Sequence, residues 1–254
     1  MSALAQPGPL QPELRTLLDP ARAQVVLRKV LVAAGIAQRP RDVRVERCWP
    51  AGQDAFRFQW SCRFDSAQRY SVYAVPAERD DHRQNPTTSP ARLSGLRIEG
   101  LRAYLPDFDL VVHTPDLDLE MPHVARCLDG SVVGAHLRNG DRLPAPEHGL
   151  SCNLVGYKPS RRAAILYAAS DAAATFRLIG KTHRGQQGRR LLEMHRQVGA
   201  QLRALSDGHV TVPKPVDHLP ELCLALFTWA PGASVDSGAT LGAAQLDKTI
   251  NVLA

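Results

Sequence analysis

The sequence predicts an α+β protein built on antiparallel sheet. The C-terminal half has β-β-β-α-β-β order, and a mixed α+β extension precedes it. Three observations carry this. Strand-like apolar runs follow one another across turn residues rather than across helical stretches. Only the stretches near residues 20–35 and 187–205 repeat their apolar residues at long helical spacing. A chain of 254 residues with 44% hydrophobic and 22% charged content is globular rather than disordered.

Residues 1–18 contain Pro7 and Pro9 and read as a loose lead-in without the basic and apolar regions of a secretory signal. Asp19-Pro20 is an N-cap followed by proline at the first helical position. Val25, Val26, Val30 and Ala33 form the apolar stripe, and Gly35 closes the helix. Runs 43–49, 55–64 and 69–75 form a meander with turns at Pro50-Ala51-Gly52 and Asp65-Ser66-Ala67. Residues 78–92 are a polar loop, Val111–His113 is a short strand, and Pro122 opens a short helix to about Leu128. The Pro-containing connector 140–149 marks a boundary. Beyond it come strands 152–157, 163–169 and 175–183. The helix of 187–205 has Leu191, His195, Val198, Leu202 and Leu205 on one face, and strands 211–216 and 221–229 complete the set.

The formal charge of +6 is scattered, and most of the 31 cations are arginines, which argues for base composition rather than a nucleic-acid surface. Five widely spaced cysteines without a C-x-x-C pair argue against a disulfide framework or a thiolate zinc site and fit a reducing, cytoplasmic compartment. The longest apolar run, Leu222–Ala230, is too short to span a bilayer, so no membrane partner is expected. The acidic stretch His113–His123 resembles the start of a calcium loop. Met121 stands where glycine is needed, so a loop leading into a helix explains it better. Gly180-Lys181-Thr182 matches the end of a phosphate-binding loop, but Thr175 replaces the required glycine.

The β-β-β-α-β-β order, with Lys181 in the third strand and Glu193 in the following helix, is the layout of a kinase small lobe. There the lysine contacts nucleotide phosphates and the glutamate orients it. Glu193 is the only acidic residue between Lys181 and Asp207, so one pair is available. Arg161 and Arg162, in the turn between the first two strands of this lobe, are candidates to approach the phosphates or to be solvated.

Tyr157-Lys158-Pro159-Ser160-Arg161-Arg162-Ala163 resembles the opening hairpin of the aminoglycoside phosphotransferase and choline kinase-like superfamily. Lys181-Thr182-His183-Arg184, Val212-Pro213-Lys214-Pro215 and Trp229-Ala230-Pro231-Gly232 resemble later segments of the same lobe, in the same order. The resemblance spans about residues 150–240. It implies an ATP- and magnesium-dependent phosphotransferase acting on a small-molecule hydroxyl. It also implies a division into an extension (19–149), a nucleotide-binding lobe (150–235) and a stub of the second lobe (236–254). The family's catalytic "H-G-D" loop and metal-binding aspartate do not follow Trp229. The expectation is therefore a nucleotide-binding chain inactive alone, or with a protein partner covering or supplying the missing lobe. The alternative is a non-catalytic binding module of pseudokinase type.

Overall fold

The computed structural model describes residues 12–33, 40–50, 55–63, 69–77, 87–89, 100–139, 150–170, 175–185, 187–205 and 212–230. The protein is α+β with two antiparallel sheets, each in its own compact unit. The first unit comprises residues 1–129 and 157–162, and the second residues 130–156 and 163–254. The expected starts and ends that fall on residues 34–39, 206–211 and 231–254 lie outside the described residues.

The first unit opens with α1 (Pro12–Arg15), a 3-10 turn over Thr16–Leu18, and α2 (Pro20–Ala33). Asp19 caps α2 as its residue type predicts, its carboxylate accepting from the Ala21 amide at 2.8 Å. The buried stripe is Ala23, Leu27, Val30 and Leu31; of the expected stripe Val30 is buried and Val26 packs partly buried against the core, whereas Val25 is 56% exposed. Leu27 and Leu31 extend this face toward the sheet, while Val25 turns to solvent. Strands β1 (Asp42–Pro50), β2 (Phe56–Arg63) and β3 (Arg69–Pro76) form the expected meander. They are followed by β4 (Thr87–Ser89), β5 (Gly100–Leu105) and β6 (Leu110–His113), in spatial order β1-β2-β3-β6-β5-β4. Phe58, Trp60, Val72, Ala74, Ala103 and Val112 point to the α2 side and form the core with it. Burying each of the larger of these side chains contributes about 1.5–3 kcal/mol. After β6 come a 3-10 turn at Pro115–Leu117 and α3 (Val124–Cys127).

The second unit contains α4 (Gly130–Asn139), β7 (Ser151–Lys158), β8 (Arg162–Ser170), β9 (Thr175–His183), α5 (Gly188–Leu205), β10 (Pro215–Leu219) and β11 (Leu224–Thr228). The tip of the β7–β8 hairpin, Tyr157–Arg162, belongs to the first unit. The sheet order is β10-β11-β9-β8-β7. The β-β-β-α-β-β order expected from the sequence is thus present, with α5 between the third and fourth strands. The last two strands differ from expectation: the expected strand 211–216 is shifted to 215–219. Residues 220–222 form a 3-10 turn opened by Pro220 instead of starting the last strand. On α5, Leu192 and Gly199 are buried and Leu191 and His195 half-buried, whereas Val198 is 43% exposed.

The two sheets share a strand order. Read from β1 and from β7, each has three meandering strands, then the last strand, then the one before it, and the first sheet adds β4 at its edge. Each also closes through the same hairpin. Leu105-Pro106-Asp107-Phe108-Asp109-Leu110 and Leu219-Pro220-Glu221-Leu222-Cys223-Leu224 both form a strand end, a 3-10 turn and a left-handed residue. Asp109 and Cys223 both have φ of 47°. No helix among the described residues is long and apolar enough to cross a membrane.

Candidate functional site

Lys181 lies in β9, opposite Ala225 of β11, which is in turn opposite His218 of β10. Paired residues of antiparallel strands share a face, so these three form one row, on the side that α5 covers. Alternation puts Ile179 and Lys181 on that side and Leu178, Gly180 and Thr182 on the other. Gly180 is required there. A Cβ would stand 2.5 Å from the Tyr167 ring and 2.9 Å from Leu224. Thr182 is fully buried, and its hydroxyl donates to the Leu222 carbonyl at 3.4 Å. The strand is therefore pinned from behind, and Lys181 projects from a fixed position.

The Lys181 Nζ lies 5.4 Å from the centroid of the fully buried Phe227 ring. His195 of α5 tilts against the same ring at 4.5 Å. Burial, and then the Lys181 charge, hold His195 below its ordinary value, so it is neutral beside the lysine. Lys181 thus has an aromatic face and a neutral imidazole as neighbours. A cation over a ring gains roughly 0.5–2 kcal/mol depending on desolvation.

Glu193 is exposed on α5, and the contacts the structure shows for it stay on its own helix. Its carboxylate accepts from Arg196 at 3.3 Å and from Gln197 at 3.4 Å. It borders a groove of about 980 Å³ between α5 and β10, lined also by Arg189, Arg190, Arg196, Asp217 and His218. His218 packs on Gly188 at the start of α5, where a Cβ would lie 2.5 Å from its Nε2. Arg161 and Arg162 are exposed at the β7–β8 turn, in the first unit, whereas Lys181 and Glu193 belong to the second.

A second cluster lies within the first unit and was not legible as a site. Tyr73 of β3, His113 of β6 and Arg102 of β5 form one cross-strand row on the face away from α2. Tyr157 stacks edge-on against Tyr73 at 4.6 Å. The Asp118 Oδ2 accepts both the Tyr157 hydroxyl and, at 2.7 Å, the Ser160 amide, and Oδ1 accepts the Glu120 amide at 3.0 Å. Burial raises both phenols, Tyr73 to about 12 and Tyr157 well above its ordinary value, so both stay protonated. His113 is buried, with Nδ1 2.9 Å from the Thr114 carbonyl, so the proton sits on Nδ1. Burial lowers its pKa against the pull of Asp118.

Asp116 is only 4% exposed, and neither carboxylate oxygen has a hydrogen-bond partner among the described residues. The nearby Thr114 hydroxyl pulls its pKa down, but that hydroxyl donates to the Leu101 carbonyl at 3.3 Å. Burial dominates and raises the Asp116 carboxyl. Between Arg102, His113, Asp118 and Ser160 lies a cavity of about 20 Å³, room for a single water. Among the described residues no group of three or more His, Cys, Asp or Glu side chains is set to hold a metal ion. Comparison with protein-family models, curated proteins and solved structures finds no match.

Proposed function

We propose that the second unit is the nucleotide-binding small lobe of an ATP-dependent phosphotransferase, with Lys181 as the phosphate contact. The observation that carries this is the position of Lys181. It stands mid-strand in the third strand of a β-β-β-α-β-β sheet, on the face covered by the intervening helix, with a buried aromatic ring beneath its ammonium. A phosphate-binding lysine needs this: a fixed stem, a low-dielectric floor and an amine held out from the strand. Glu193 would orient Lys181 only by exchanging Arg196 and Gln197 for it. In kinases the placement of the helix that carries this glutamate is a point of control. Nucleotide binding is the part of this reading that the residues around Lys181 support; the resemblance further implies transfer to a sugar, amino-alcohol or aminoglycoside hydroxyl.

Thermal unfolding with increasing ATP and magnesium tests this. Ligand that binds only the folded state stabilises it by about 2.7 kcal/mol at one hundred times Kd. Wild type should show this concentration dependence and Lys181→Ala should need at least ten times more ATP. An equal response of the two proteins excludes the assignment.

A further inference from the structure

We propose that the solvent face of α2 is a docking ridge for an acidic amphipathic helix of a protein partner. The inner face of α2 is spent: Ala23, Leu27, Val30 and Leu31 are buried in the core of the first unit. At about 100° per residue, the opposite direction is held by Val25 and Val32, which stand two turns apart and point the same way. They are 56% and 68% exposed. Arg22 and Lys29, also two turns apart, run along one side of this pair, and Arg28 along the other, all three exposed. The helix contains no Asp or Glu. Asp19, just before it, caps its first turn by accepting the Ala21 and Arg22 amides at 2.8 and 3.4 Å. Arg22, Arg28 and Lys29 form no ion pair among the described residues.

Solvation alone does not account for this face. Valine loses side-chain freedom in a helix, so two exposed valines weaken α2 and bury nothing to offset it. A second helix laid along the ridge would cover both valines and the methylene stems of the cations, and would set carboxylates against charge on both sides. The two-turn spacing of the valines, repeated by Arg22 and Lys29, matches the interval at which a partner helix presents its own face. Charge fixes the sign of the partner and disfavours a second copy of α2, which would bring like charges together. A lipid surface suits the ridge less well. The broad apolar side of α2, which would have to insert, already lies in the core, and the strip left outside is one residue wide. Two turns of contact fall short of a standard interface, so the docking is weak and transient. It stands without Lys181 and without the nucleotide assignment.

Fluorescence anisotropy on the full chain tests this, with a labelled synthetic helix carrying leucines at heptad positions a and d and glutamates at e and g. Wild type should bind it, more weakly as salt rises. Arg22→Glu combined with Lys29→Glu should weaken binding about tenfold or more, and Val25→Gln combined with Val32→Gln about tenfold. The same peptide with lysines in place of its glutamates should not bind. Undetectable binding to wild type overturns the proposal, and so does equal binding by wild type and both variants. All four positions are exposed, so the variants should keep the wild-type melting curve. Should either unfold, the Val25 and Val32 amide resonances of wild type decide: a saturable shift on adding the acidic peptide supports the ridge, and its absence overturns it. Co-sedimentation with phosphatidylserine vesicles, lost in the same variants of a protein that ignores the acidic peptide, overturns the protein partner in favour of lipid. Lys181→Ala should bind the peptide as wild type does, so failure here is separable from failure of the nucleotide assignment.

Discussion

The two sheets share strand order and closing hairpin but dress the same position differently. Val75 pairs with Val111 in the first sheet as Lys181 pairs with Ala225 in the second, and Tyr73 pairs with His113 as Ile179 pairs with Phe227. In the first sheet, Val75 and Val111 bury in an apolar cluster, and Tyr73 takes the Tyr157 ring. In the second, a helix covers the face and a lysine stands on an aromatic floor. One scaffold thus supports a closed apolar surface in one case and a held cation in the other. Two side chains and the choice of cover make the difference.

The most severe way to break this contrast is to put the lysine into the first sheet. Val75→Lys should destabilise the first unit by about 3–5 kcal/mol, the cost of an uncompensated buried charge. Urea denaturation would show it; a change below 1 kcal/mol would mean that the first sheet tolerates a cation as the second does. Gly180 and its counterpart Ala74 give the next largest effect. Ala74 is fully buried and accommodated, whereas a methyl at position 180 meets Tyr167. Gly180→Ala should cost about 1–3 kcal/mol by overpacking, read as a lower denaturation midpoint with unchanged slope.

Acidity sharpens the contrast further, through the buried pair of His113 and Asp116 in the first unit. The pKa of His113 is depressed, so the unfolded chain takes up a proton below the usual 6.5 that the folded state refuses, and stability falls on acidification through that range. Asp116 acts oppositely. Its raised carboxyl penalises the folded state at neutral pH and loses that penalty as pH falls towards 3.8. Asp116→Asn should therefore stabilise by about 1–3 kcal/mol at pH 7, with the gain shrinking near pH 4; a pH-independent effect would contradict this origin. The smallest effect is Glu193→Ala, which removes an exposed pair within one helix. It should change stability by only a few tenths of a kcal/mol, and a loss above 1 kcal/mol would show that Glu193 has a deeper role.

Legibility followed sequence distance. The meanders, α2 and α5 were readable because capping residues, turn residues and apolar spacing are local signals. Strand β5 was missed because it carries Arg102 and Tyr104 and follows a long polar stretch. Helix α4 was missed because Gly130 and Gly134 weaken its propensity. The repeated Leu-Pro-acid segment, at Leu105 and at Leu219, is too short to read as a repeat without the two sheets it closes. The lysine could be placed on a strand from its apolar neighbours, but not its ring partner, which lies in another strand. The role of Asp118 depends on partners 39 and 42 residues away, so its acidic stretch read only as a loop.

The shared hairpin also has a consequence for the order of folding. In β5–β6 and β10–β11 the strands join through three-residue turns opened by proline, and a left-handed residue sets the exit. Such hairpins close in about 1–10 μs. The β3–β6 and β9–β11 ladders must close much longer loops and pay their entropy first. Asp109→Gly and Cys223→Gly relax the left-handed positions without removing any ladder contact. Both should speed refolding more than they slow unfolding if each unit nucleates on its preformed hairpin.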